Sequence, residues 1–163
     1  MITPIEKDRL LSIIPHRGKM ILLSRVTDYD IEQRRISAEF DVSPECIFFE
    51  DGKGIPSWVS FEIMAQSISA LNGIINTISG IPARAGFLLS VSRFSSKTAF
   101  FKAGETVSVK AAEEFRDDAS LIHQYKCSLF SKNKSEPDAS AAITVMEADS
   151  LQSAAEHPQK AYF

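Results

Sequence analysis

Four residues in the middle of the chain, Glu62, Gln66, Ser69 and Gly73, recur at intervals of four, three and four. They sit in the run SWVSFEIMAQSISALNGIINTIS, which is apolar over most of its length. On a helix this spacing puts all four along one side. A carboxyl group there, among Trp58, Val59, Phe61, Ile63, Met64 and Ala65, can give or take a proton in dry surroundings. Desolvation is expected to raise the Glu62 pKa and favour a protonated form able to donate, while the nearby helix N-terminus pulls the other way. Gln66, one turn on, is placed to hydrogen-bond Glu62 or a bound substrate. The plainer account of Glu62 is a pairing with an arginine or a wet helix face.

Other reactive side chains offer less. His16 lies in a Pro-His-Arg string, and His123 is in step with Leu121, Tyr125, Cys127 and Leu129, where packing is its expected role. His157 falls near the end of the chain and is discounted. Ser57, Ser60, Ser67 and Ser69 have no neighbouring His/Asp arrangement, no GxSxG elbow occurs, and the glycines form no phosphate-cradling loop. Cys46 and Cys127 are far apart with no CxxC pair, which reads as two buried thiols in a reduced compartment rather than a metal site. A net charge of −3 gives no reason to expect a nucleic-acid partner. The start, MITPIEKDRLL, lacks the apolar run of a signal peptide, and no stretch suits a membrane span, so a soluble cytoplasmic protein is the default expectation.

The elements that would position these groups can be read from pattern. Thr3-Pro4-Ile5-Glu6 suggests a capped helix start, with a short helix running to Ile14. Residues 20–31 read as a strand. Residues 35–42 alternate, with Ile36, Ala38, Phe40 and Val42 on one face. A turn-rich loop, PECIFFEDGKGIP, leads to the one long helix, Pro56 to Ile78, with Ser57 as its cap. A helix this apolar must bury nearly all its faces. Strands alone follow, near residues 86–94, 106–115, 121–130 and 141–148. Short turns between them favour an antiparallel sheet, and a sheet curled around the helix would bury it. The expectation is an α+β class: a single domain over residues 1–150, with 151–163 a loose tail.

Three segments in order carry a family resemblance. IPHRGKMILLSRV (14–26) resembles the Pro-His-Arg opening of the 3-hydroxyacyl-acyl carrier protein dehydratases. GIPSWVSFEIMAQSISAL (54–71) is similar to their central helix, with Glu62 followed by Met64-Ala65-Gln66. GFLLSVSRFSSKTAFFKAGETV (86–107) resembles the strand and Arg-Phe that come after it. The PSWVSFEIMAQ wording looks closest to a divergent branch from bacterial aryl-polyene-type biosynthesis.

The resemblance implies a hot-dog fold, in which a curved antiparallel sheet wraps one helix and two protomers form acyl tunnels between them. It implies an acyl thioester substrate, on acyl carrier protein or coenzyme A, and no cofactor. Glu62 would be the catalytic carboxylate, with the first helical turn binding the thioester oxygen. Ser57, Trp58, Phe48 and Gln66 are the candidate substrate contacts, and Arg93, Lys97 and Lys102 a candidate basic rim for an acidic carrier. The family's base is a His in the loop before the helix. That position holds Phe48 here, beside Glu50, Asp51 and Lys53, and no His occurs between His16 and His123. Three expectations follow. His16 supplies the base. A His-bearing homologue supplies it in a heterodimer, where a homodimer would lack it. Or the site has become a thioesterase, in which Glu62 activates water. A non-catalytic acyl-binding subunit is the remaining reading.

Overall fold

The computed structural model describes residues 3–82 and 84–148. The expected tail lies outside the described residues. In chain order the elements are β1 (Ile5–Glu6), α1 (Lys7–Leu10), β2 (Arg25–Asp30), β3 (Arg35–Asp41), β4 (Ile55–Pro56), α2 (Ser60–Ile78), β5 (Ala85–Ser96), β6 (Phe100–Phe101), β7 (Thr106–Asp117), β8 (Ile122–Ser131) and β9 (Ala139–Ala148). Seven strands form one antiparallel sheet in the order β1-β2-β3-β7-β8-β9-β5. β4 and β6 form a separate two-stranded pair.

Alternation explains the inner face of the sheet. Ile36, Ala38 and Phe40 of β3 are buried, as are Val107, Val109 and Ala111 of β7 and Tyr125, Cys127 and Leu129 of β8. They meet Ile63, Met64, Ile68, Leu71 and Ile74 of α2 in one continuous core. The helix is not wrapped all round, as its apolar sequence suggested. The side carrying Glu62, Ser69 and Gly73 faces a cleft, and Ile78 is exposed at the far end. Among the described residues no helix is long and apolar enough to cross a membrane.

Three local expectations are corrected. The N-terminal capping box does not form. Ile5 and Glu6 pair instead with Val26 and Arg25, which buries Ile5 and delays α1 to Lys7. The expected strand from Met20 begins only at Arg25, because the Met20 carbonyl and the Leu22 amide are both taken by the Gln66 side chain. Ser57 makes no side-chain cap. It lies in a 3₁₀ turn, Ser57–Val59, whose start is pinned when the Ser57 amide donates to the Ala99 carbonyl at 2.9 Å. Gly73 lets the segment before His16 lie directly on α2: a Cβ there would stand 2.2 Å from the Ile13 carbonyl oxygen.

Candidate active site

The cleft beside α2 has a volume of about 620 Å³. One wall is α2 itself, the second is the segment Ser12–Arg17, and the third comes from the start of β5 and the end of β9. Among the described residues β5 is the edge of the sheet on this side, next to the cleft.

Glu62 is the third residue of α2, so it stands in the first helical turn. It is partly buried, and its Oε1 accepts from Gln66 Nε2 at 2.8 Å. His16 Nε2 lies 3.5 Å from the same oxygen. The expected upward pKa shift is overturned. His16 and, to a lesser degree, Gln66 hold the Glu62 carboxyl below its ordinary range, against the opposing push of burial. Glu62 is therefore an anion at neutral pH in this chain. The apolar neighbours visible in the sequence are there, but the two donors outweigh them. Among the described residues His16 Nδ1 is buried without a hydrogen-bond partner, which leaves Nε2 as the nitrogen that serves Glu62.

Gln66 is fully buried, and both ends of its amide are engaged. Its Oε1 accepts from the Leu22 amide at 2.9 Å, and its Nε2 donates to the Met20 carbonyl at 2.7 Å and to Glu62. It is not part of the cleft wall. Its position is that of a clamp behind Glu62 rather than of a group facing a ligand.

Ser57, Trp58 and Phe48 are likewise absent from the cleft wall. The Phe48 and Trp58 rings meet edge to face at 5.7 Å, and Trp58 tilts against Phe61 at 6.4 Å. Trp58 is 50% exposed, so this is an aromatic surface at the start of α2 and not a lining of the cleft. The structure thus brings Glu62, His16 and Gln66 together and sets Phe48, Ser57 and Trp58 apart. Arg93, Lys97 and Lys102 are exposed and do not line the cleft, with Lys97 3.7 Å from Glu136.

Sequence reasoning missed further polar groups of the wall, among them Asn72, Asn76 and Thr77 of α2 and Glu147 of β9. The signal was present: asparagines are weak helix formers, and two of them interrupt an apolar run. It also missed a buried polar cluster behind the cleft. His123 is buried as expected, but its Nδ1 lies 3.3 Å from Glu113 Oε2. Burial lowers the His123 pKa. Among the described residues no three His, Cys, Asp or Glu side chains converge as a metal site.

A family model described as ApeP dehydratase, of the ApeP-like family, matches residues 9–156. The chain belongs to the ApeP-like dehydratase family. Its fold agrees. The dehydratase heterocomplex ApeI:P from Xenorhabdus doucetiae superposes with a TM-score of 0.80 at 16% identity, over 90% of this chain and 95% of that one. A mutant thioesterase from Pseudomonas aeruginosa gives a TM-score of 0.59 at 12% identity, over 80% and 84%. At these identities the likeness is one of fold, and the fold is the hot dog. In sequence, the 3-hydroxyacyl-acyl-carrier-protein dehydratase FabZ of Chlamydia pneumoniae is 32% identical over 75 residues, which is 44% of this chain and 49% of the relative. The chain spans about half the length of the curated relatives it matches.

Proposed function

We propose that this chain is the Glu62-bearing component of a 3-hydroxyacyl-thioester dehydratase. The observation that carries the reading is the placement of the Glu62 carboxylate: first turn of the buried helix, on the wall of a cleft, held from behind by Gln66 and from the side by His16. In the reaction a base takes the proton next to the thioester carbonyl, a carbon–carbon double bond forms, and the C3–O bond breaks. The departing hydroxyl leaves as water once it receives a proton. Glu62 handles that second proton. Helix amides in the first turn of α2 stabilise the charge on the thioester oxygen.

The base comes from a His-bearing homologue docked as a heterodimer, a reading supported by the heteromeric character of ApeI:P. Support also comes from β5. It is a sheet edge beside the cleft, with Leu88 and Leu89 each more than 40% exposed. A partner paired there would cover the cleft. The carrier is acyl carrier protein or coenzyme A, and a role in fatty acid or polyene-type biosynthesis fits the dehydratase relatives. Among the described residues His16 is the histidine paired with Glu62, at 3.5 Å, and it serves as the internal alternative for the base.

The test is water loss from a 3-hydroxyacyl carrier protein, measured with the full chain alone and mixed with a His-bearing homologue from the same source. Turnover in the mixture is expected, and Glu62→Gln should lower it by about 10²- to 10⁴-fold. Turnover that ignores Glu62→Gln, or none in either sample, refutes the reading. One observation favours a second reading: an ionised Glu62 suits activation of water, as in a thioesterase. Release of free thiol that Glu62→Gln abolishes would select it.

A further inference from the structure

Pro15 stands between Ile14 and His16 in the segment that forms the second wall of the cleft. A proline brings no amide hydrogen, so residue 15 can tie this stretch to no neighbouring backbone as a donor. The carbonyls of Ile14 and His16 accept from no backbone amide among the described residues. Both accept instead from one nitrogen. Arg17 Nη1 donates to the Ile14 carbonyl at 2.6 Å and to the His16 carbonyl at 2.7 Å. Nη1 carries two hydrogens, one for each oxygen. The guanidinium thus closes a ring around Pro15. Among the described residues Arg17 pairs with no carboxylate, so its charge is spent on strengthening these two bonds.

The ring sits between two fixed ends. Before it, the Ile13 carbonyl lies against Gly73 of α2, and Ile14 is buried in the core. After it, the Met20 amide donates to the Arg17 carbonyl, and the Met20 carbonyl and Leu22 amide are tied to Gln66. Between these anchors His16 turns its ring toward Glu62, with Nε2 3.5 Å from Oε1. The imidazole supplies no second anchor of its own, since among the described residues Nδ1 has no hydrogen-bond partner. Its direction is therefore set by the backbone that carries it. Arg17 does not act on Glu62 directly: among the described residues the groups that hold that carboxylate are His16 and Gln66.

We propose that Arg17 is a positioning residue of the site: by clasping the carbonyls on either side of Pro15, it fixes the turn that aims His16 at Glu62. Its influence on the carboxylate passes through His16. The proposal rests on the dehydratase reading only for the reaction that Glu62 serves, and the geometry it explains is present before any substrate binds. Methionine at this position keeps the apolar stem and deletes both donors. Lysine restores a charged donor, but as a flexible ammonium without the planar fork.

The experiment is the titration of Glu62, read from its side-chain carbon shift by NMR in the full chain, with and without Arg17→Met, in the wild-type and His16→Phe backgrounds. With His16 present, Arg17→Met should raise the Glu62 midpoint by about 0.5 pH unit or more, the scale of coupling between contacting groups. In the His16→Phe background it should move nothing measurable. Arg17→Lys should show a smaller shift with the same dependence on His16, and it decides the matter if Arg17→Met does not fold. A loss of Tm in both backgrounds with an unmoved titration would make Arg17 a structural tie alone and overturns the proposal. An equal shift in both backgrounds would show its charge acting directly and overturns it as well. In the carrier-protein assay the limb of the kcat-against-pH profile that belongs to Glu62 should move with the titration, at unchanged KM. A titration that follows Arg17 through His16, with no water loss in any mixture, would leave Arg17 in this role while refuting the dehydratase. Water loss with a titration that ignores Arg17 would do the reverse.

Discussion

Replacing Gln66 with leucine tests whether the site is built from behind. The change keeps an apolar body of similar size in a fully buried position and deletes every hydrogen bond of the amide. The losses are unequal. The Leu22 amide belongs to a residue only 3% exposed, and stranding such a donor costs about 1–3 kcal/mol. Met20 is 40% exposed, so its carbonyl regains water at little cost. Glu62 keeps His16. The sum is about 1–3 kcal/mol, and for a chain of this size that is a fall in Tm of about 2–12 °C. Thermal unfolding followed by circular dichroism measures it. A second readout separates clamp from filler. Without the Gln66 donor the Glu62 carboxyl must titrate higher, visible in its side-chain carbon shift by NMR across pH. A Tm within about 1 °C of wild type, or an unmoved Glu62 titration, would show that the amide does not hold the carboxylate, and the reasoning from its bonds would fail.

Gly73→Ala should destabilise the chain by about 1–2 kcal/mol, because the added Cβ meets the Ile13 carbonyl oxygen at 2.2 Å and this overpacking outweighs the better helix propensity of alanine. Chemical denaturation checks it, and an unchanged or raised midpoint would contradict the close approach. The pH dependence of Glu62 has a fixed sign. Its pKa in the folded chain lies below the ordinary 4.5, so its ionised form adds stability that is complete above 4.5 and is lost as pH falls through that range. His16→Phe removes the largest cause, so the stability gap between Glu62 and a Glu62→Gln partner variant should shrink at neutral pH and stay unchanged well below pH 4.5. A gap equal with and without His16 would count against their pairing.

The strands could be read because alternation is a local signal. Ile36, Ala38 and Phe40, or Tyr125, Cys127 and Leu129, declare their face whatever the rest of the chain does. The Glu62–Gln66 contact was equally accessible, since it follows from helical spacing alone. The failures share one cause. Residues 20–24 look like a strand, but their backbone is paired to a glutamine far away in sequence. The first helix yields its opening residues to a two-residue pairing with β2. The apolar neighbours of Glu62 are adjacent in sequence, whereas His16 arrives through the fold, and so the sign of the pKa shift was misread.

These observations bear on why such a carboxylate would work in company. In the proposed dehydratase one proton must leave carbon and another must reach oxygen, and Glu62 in the chain described is already deprotonated. As an acid it would first need its own proton. Burial already pushes its pKa upward and is merely outweighed by His16 and Gln66. A partner docked along the edge of β5, together with an acyl chain in the cleft, would remove the remaining water from the carboxylate and strengthen that push. The same association that supplies the missing base would then carry Glu62 toward its donating form. Assembly would switch both proton-transfer groups at once, and the rise of the Glu62 titration on adding the partner, read by NMR, measures that coupling directly.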